Sequence, residues 1–430
     1  MPQEPRPEWA IGKSPDETLF IWEFIHRHDL CYYKGRFYDI RGCIRNEEPL
    51  RQEIYRLIKQ HYYTNLPAKV DSMLAAMRLE LHCDHIHREE NLIHVSNGTV
   101  DIDKDFYQHK HICAHRLPVR YDPENFDLTN WNKFLGELLE PEDILTLQEF
   151  MGYCLIPTNA AQKMLLLIGE GGEGKSRIGV VMRAMLAEAM RSGSLSKLEQ
   201  NRFAMADLED TLLMVDDDLK LEALNSTNHI KSVITADVPM DLERKGEQSH
   251  QGRLYCRFLA FGNGSLRALH DRSYGFFRRQ IILTVKPRPA DRVDDPFLGK
   301  KLEEEINSIF LWALEGLQRL KANHFQFTIS EKARQNWQEA VVEGNNMVDF
   351  MDSDGYIRLD PAACASSRQL YGRYCDWCRD NALRPLSQRS FSDYLIRNGH
   401  RYGLAYTTHV PIPGGKRVRG YFGVTVEAER

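Results

Sequence analysis

A chain of 430 residues exceeds one ordinary core, since domains run to roughly 100–200 residues, so two or three folding units are expected. Apolar residues make up 42% and charged residues 27%, and no run approaches the ~20 apolar residues of a membrane span, which excludes a membrane-embedded or wholly disordered class. Nine scattered cysteines argue against a disulfide scaffold, and a net charge of −5 leaves nucleic-acid binding to a local patch or to a channel shared by several subunits.

Residues 1–18, with Pro2, Pro5, Pro7 and Pro15 among charged residues, read as a loose extended tail rather than a targeting segment, so the cytoplasm is expected. Residues 19–128 mix short helices with β-hairpins, one at residues 31–38 and a clearer one at 92–102 around Asn97-Gly98, which outlines an N-terminal α+β/helical domain. Trp131, Phe134, Leu135, Leu138 and Leu139 fall on one helical face, so 129–157 is expected to be a helical linker or collar. Aliphatic runs then alternate with helical stretches over 158–345, the sign of an α/β layer with a parallel-type sheet and flanking helices. Residues 346–430 show helices near 367–381 and 387–398 before two strand-like runs, the outline of a winged-helix domain. From Cys364 onward eleven Lys or Arg face five Asp or Glu, a local basic excess in an acidic chain.

The strongest motif is Gly169-Glu170-Gly171-Gly172-Glu173-Gly174-Lys175-Ser176, which fits G-x-x-x-x-G-K-[ST] in full. It follows the apolar run 164–168 and precedes Ile178, Val181, Met182, Met185 and Leu186 at helical spacing, the strand–loop–helix context that a phosphate loop requires. Glycines let successive N–H groups face the phosphates, Lys175 neutralises their oxygens, Ser176 offers its hydroxyl to Mg²⁺, and Arg177 opens the helix beside them. ATP and Mg²⁺ are therefore the expected cofactors.

A second buried run, 211–215, ends in Asp216-Asp217-Asp218, and Asp216 and Asp217 are jointly assigned to holding hydrated Mg²⁺ and orienting the attacking water. A third strand ends at Asn263, whose amide is placed to bond that water or the γ-phosphate, although asparagine after a strand is as often a turn residue. Arg278-Arg279 precede a fourth strand and are candidates for an arginine finger reaching a neighbouring subunit's nucleotide, against the alternative of structural arginines.

Loop, paired acids and terminal Asn, compressed between Gly169 and Asn263, resemble superfamily 3 helicases, and more narrowly the helicase portion of phage and plasmid primase–helicases related to the poxvirus primase–helicase. The resemblance implies an AAA+ type P-loop core and a β-hairpin entering a central channel. Leu242-Glu243-Arg244-Lys245 matches that hairpin's Leu-Glu-basic-Lys run, which makes Arg244 and Lys245 the DNA-binding candidates; Gly246 stands where several viral members carry His. Residues 97–101, Trp131 with Phe134-Leu135, 147–153, 311–317 and 371–378 resemble further family segments. A homo-hexamer on single-stranded and forked DNA, in the cytoplasm of a bacterial host, is what the resemblance implies, with a separate primase or origin-binding protein as a candidate partner. A chain of this length is expected to lack a primase domain.

Two other classes compete. One is an origin-binding initiator or scaffold that uses nucleotide to close a ring. The other is an initiator with nuclease activity from His85-Ile86-His87 and Tyr107 or Tyr121, against which helical spacing over 72–81 makes that segment a polar helix end. Cys375 and Cys378 lack a second pair for zinc and read as thiols on a helix face.

Overall fold

The computed structural model describes residues 6–219, 227–246, 248–263, 274–289, 293–343, 346–381, 383, 385–411 and 417–427, and no described helix is long and apolar enough to cross a membrane. The chain divides into two compact units, one of residues 1–264 with 278–334, the other of residues 265–277 with 335–430.

The first unit is built on a five-stranded sheet in the order Gln280–Thr284, Met164–Gly169, Arg257–Asn263, Leu213–Leu219, Met190–Ser192, every neighbouring pair parallel. Parallel strands lie between two covered faces, which is why the central strand Met164–Gly169 and the strand Gln280–Thr284 read as nearly unbroken aliphatic runs. Leu165, Leu167, Leu259, Phe261, Ile281 and Leu283 all sit in one apolar core. The α/β core read from the sequence is thus present.

The helices Thr129–Leu138 and Pro141–Tyr153 carry Trp131, Phe134, Leu135, Leu138, Leu147 and Phe150 into that same core, so the expected linker is an integral layer of the α/β unit. Pro141–Tyr153 packs on Ile306–Ala322 at a crossing where a Cβ on Gly152 would meet the Ala313 carbonyl oxygen at 2.3 Å and one on Gly316 the Gln148 carbonyl oxygen at 2.4 Å. Two segments that resembled the family separately therefore meet through their glycines. Glu149, buried beside the crossing, is balanced by Arg319 at 2.7 Å and by the backbone N–H of Thr328.

Upstream, the strands Leu92–Val95 and Gly98–Asp101 form the expected hairpin, turned by Ser96-Asn97, and Ile93, Val95 and Val100 belong to the α/β core. A separate core gathers the helices Glu17–Ile25, Glu48–Lys59 and Leu66–Glu80. Trp9 and Ala10 are buried in it, with the Trp9 ring edge-on to Phe20, which corrects the reading of residues 1–18 as a loose tail: a short 3₁₀ turn, Glu8–Ala10, places an indole where apolar area is removed from water. Pro7 caps this turn and Pro15 follows it, while Pro2 and Pro5 lie outside the described residues.

A third, small cluster of Cys31, Tyr38, Ile86 and Ala114 is tied to the α/β core at Asp210. The Asp210 side chain is fully buried and accepts from Tyr38 at 2.6 Å, Tyr255 at 2.9 Å and Nε and Nη2 of Arg88 at 3.0 and 3.1 Å, while Arg45 donates to its carbonyl oxygen. Burial alone would raise this carboxyl, but Arg88 and the other donors overcome it and hold it at about 2. His115, kept neutral by burial at about 3, completes the network through Tyr255. A carboxyl depressed in the folded state stabilises fully above its unfolded value near 4 and loses that contribution as pH falls toward 2. Asp210→Asn should cost about 3 kcal/mol in urea unfolding near neutral pH by leaving Arg88 without its counter-charge. Between pH 4 and 2 the wild type should lose stability more steeply than the variant; parallel curves would contradict this role.

In the second unit, strands Ile357–Ser366, Arg417–Val426 and Ala405–Pro411 form an antiparallel sheet in that order. Helices Ser367–Asp380 and Gln388–Asn398 lie between its strands in sequence. Leu370, Tyr374, Trp377 and Phe391 fill its core, with Cys378 buried and Cys375 packed against it, and all nine cysteines of the chain are free thiols. The strand Ile357–Ser366 is an addition to the sequence reading, and the unit begins at residue 335 rather than 346.

Candidate phosphate-binding site

The loop leaves the carboxyl end of Met164–Gly169 and runs into the helix Ser176–Leu186, whose Ile178, Val181, Met182, Met185 and Leu186 are all buried. Gly171, Gly172 and Gly174 have φ of +114°, +82° and +103°, backbone that side chains rarely adopt, and this curl turns the N–H groups inward. Lys175 and Glu173 are both buried. The Glu173 carboxylate accepts from the backbone N–H of Glu170 at 2.5 Å and of Gly171 at 2.7 Å, and from the Lys175 ammonium at 2.7 Å. Burial would push this carboxyl up, yet Lys175 and the N–H groups bring it below the ordinary glutamate value.

A cleft of about 550 Å³ opens over the loop, lined by residues 171–177 together with Asp217, Phe261, Arg288 and the segment 294–296. Gly169 and Glu170 lead into it, with Glu170 exposed. Ser176 and Arg177 both line it.

The acid pair divides between two environments. Asp217 is exposed and lines the cleft. Asp216 is buried, accepts from the backbone N–H of Leu195 at 2.8 Å, and is raised chiefly by that burial. Alternation along a strand sends neighbours to opposite faces, so two consecutive acids do not share one face. Register sets Asn263 beside Gly169 at the mouth of the loop, but its side chain lies outside the described residues.

Arg278 and Arg279 lie at the other end of the sheet. Gln280, which follows them, pairs with Met164, five residues before Gly169, or roughly 17 Å along a strand. This chain's own loop is therefore out of reach of either guanidinium. Arg278 is exposed, its carbonyl accepts from Lys163, and burial followed by Arg278 and Arg279 lowers the Lys163 ammonium. Three cationic side chains crowd this edge.

The expected hairpin is formed by Met240–Leu242 and His250–Gly252. Lys245 is exposed at its tip, beside Gly246 at φ +81°, whereas Glu247 lies outside the described residues. Arg244 is turned back and half-buried, paired with Glu209, which also takes His250 at 3.1 Å and Arg36 at 3.7 Å. A buried carboxylate needs countercharge, and that separates Arg244 from Lys245.

Arg288 escaped the sequence reading. It donates to the Gly172 carbonyl at 3.4 Å and pairs with Asp294 at 3.0 Å, so it overhangs the loop from within the same chain. Its only local signal is Pro287-Arg288-Pro289, which presents a cation on stiff backbone just past a core strand.

The segment with His85 and His87 is not a helix end. The helix stops at Glu80, and His82 and His87 form β-bridges to Tyr32 and Cys113, so Ile86 points inward and the two histidines outward. Among the described residues no group of three or more His, Cys, Asp or Glu has the geometry to hold a metal. Tyr107 is exposed, and Tyr121 stacks on Phe106.

Comparison with known proteins gives two family matches. Residues 19–140 match a model described as D5 N terminal like, and residues 167–279 match a family of unknown function, DUF5906, a span that runs from the loop strand to Arg279. No curated protein matches the chain. Among solved structures, an A form apo structure of the NrS-1 C terminal region is similar at 11% identity and a TM-score of 0.51, covering 94% of this chain and 99% of that one. A second apo structure of the NrS-1 C terminal region is similar at 12% identity and a TM-score of 0.51, covering 96% and 100%. At these identities the likeness is one of fold, and it extends over nearly the whole chain.

Proposed function

We propose that this chain is an ATP-dependent replicative DNA helicase of a phage, plasmid or mobile element, an AAA+ motor of the superfamily 3 type working as a homo-hexameric ring with Mg²⁺. The observation that carries the reading is the cleft in which the phosphate loop, Lys175, Ser176 and Asp217 converge at the carboxyl end of a parallel sheet, while Arg278 and Arg279 stand at the opposite end. A nucleotide in that cleft would meet Lys175 at its β- and γ-oxygens and hold Mg²⁺ against Ser176, with Asp217 orienting the water and Asp216 setting the strand end. Arg278 or Arg279 of a neighbouring subunit would supply transition-state charge.

Lys245, exposed on its hairpin, is the residue that grips the phosphate backbone in this reading, and Arg244 the residue that anchors the hairpin to Glu209. The second unit, with helices between its first and second strands and a local basic excess, supports a winged-helix domain for DNA or a partner protein. The test is Mg²⁺-dependent ATP hydrolysis with and without single-stranded DNA. Stimulation by DNA is expected, and Lys245→Ala should lose most of it while leaving DNA-free hydrolysis intact. The same substitution should reduce the salt dependence of single-strand binding by about 0.7 in log–log slope for each phosphate no longer neutralised. Unchanged stimulation in Lys245→Ala would remove the hairpin from the DNA path.

A further inference from the structure

We propose that the Glu173 carboxylate is an internal anion that occupies the phosphate position of the loop and swings out before nucleotide binds, which makes Glu173 the residue that sets nucleotide affinity. The inference rests on the reading of this loop as a nucleotide site. The ammonium of Lys175, the group that would neutralise the phosphate, and two backbone N–H groups of the loop, those of Glu170 and Gly171, all donate to one carboxylate from within the loop itself. That carboxylate is buried rather than solvated, although Glu170, three residues earlier in the same loop, is exposed. The fit is close: a Cβ on Gly169 would meet Glu173 Oε1 at 2.7 Å and Lys175 Nζ at 2.8 Å.

Two anions cannot share one set of donors. A polyphosphate entering the cleft must displace the carboxylate, and the affinity seen is then the intrinsic affinity reduced by the fraction of loops that are open. The donors keep Glu173 ionised at neutral pH against the effect of burial, so the competing charge is present under working conditions.

Binding of a fluorescent ADP analogue, with pyrophosphate as competitor, tests this in the full chain with Mg²⁺, comparing wild type, Glu173→Gln, Glu173→Ala and Lys175→Ala. Glu173→Gln keeps the shape and removes the charge, and thermal melting establishes that each variant is folded. Both Glu173 variants should bind the analogue at least about tenfold more tightly than wild type, with pyrophosphate displacing it, and Lys175→Ala should weaken binding. Equal or weaker affinity in folded Glu173→Gln and Glu173→Ala overturns the proposal, and if wild-type binding still depends on Lys175 the nucleotide reading survives. Failure of every variant to bind either probe overturns both.

Discussion

Lys175→Ala is expected to lower nucleotide hydrolysis by roughly two to three orders of magnitude, the scale of removing one preorganised charge from a phosphoryl-transfer site. The substitution has a second effect that the fold makes specific. Glu173 is buried with its carboxylate on Lys175, so removing the ammonium takes the opposite charge away from a buried anion. Loss of such a charge-assisted bond costs about 1.5–3 kcal/mol, and the Glu173 carboxyl, now below its ordinary value, should rise. Because its depression contributes stability above the ordinary carboxylate range, the loss should be visible at neutral pH and should shrink as the solution is acidified through that range. Adding Glu173→Gln to Lys175→Ala should restore stability without restoring hydrolysis. A single variant that keeps turnover, measured on protein free of contaminating ATPase, would remove the loop from the chemistry.

The second large effect concerns the arginine pair. Arg279→Ala, or the double replacement with Arg278, should reduce hydrolysis by about 10³-fold or more while nucleotide still binds, the scale of losing an arginine finger. The sheet supplies the reason for expecting this in trans: roughly 17 Å of strand separates the pair from the chain's own loop. Mixing the Arg279→Ala chain with the Lys175→Ala chain should therefore regenerate activity that neither has alone, because one interface pairs an intact loop with an intact arginine. Absence of recovery in co-assembled rings, or an arginine variant with normal turnover, would count against a shared site. The excess of cations at that edge, where Lys163 is lowered by burial and by both arginines, is what an incoming phosphate would relieve.

Much of this was legible in the residues because the signals are local. The loop, its preceding strand and its following helix depend on spacing within about twenty residues, and the structure places Ile178, Val181, Met182, Met185 and Leu186 in the core as that spacing requires. The acids at the end of Leu213–Leu219 were equally plain, although only the pleat of the folded strand assigns Asp217 to the cleft and Asp216 to the Leu195 backbone. Non-local partners were invisible. Nothing around Arg244 announces that Glu209 will claim it, or that Arg88 and Tyr38 will converge on Asp210 from far upstream. Proline misled at the start of the chain, where the prolines near Trp9 suggested an unpacked tail; the strand Ile357–Ser366, which the sequence reading did not include, accommodates Pro361 as an edge strand with a bulge between Asp360 and Cys364. The extended conformation at His85 and His87 was invisible for the non-local reason, since the β-bridges that hold their segment come from residues 32 and 113.

Strand separation tests the central claim most directly. A forked duplex with a labelled strand, incubated with the full chain and Mg·ATP while assembly is followed by size, should be unwound by wild type as a ring. It should remain duplex with Lys175→Ala or Asp217→Asn, both still assembled. Assembly and DNA binding by wild type with no unwinding of the fork would contradict the motor and favour an initiator or scaffold that uses nucleotide to close its ring.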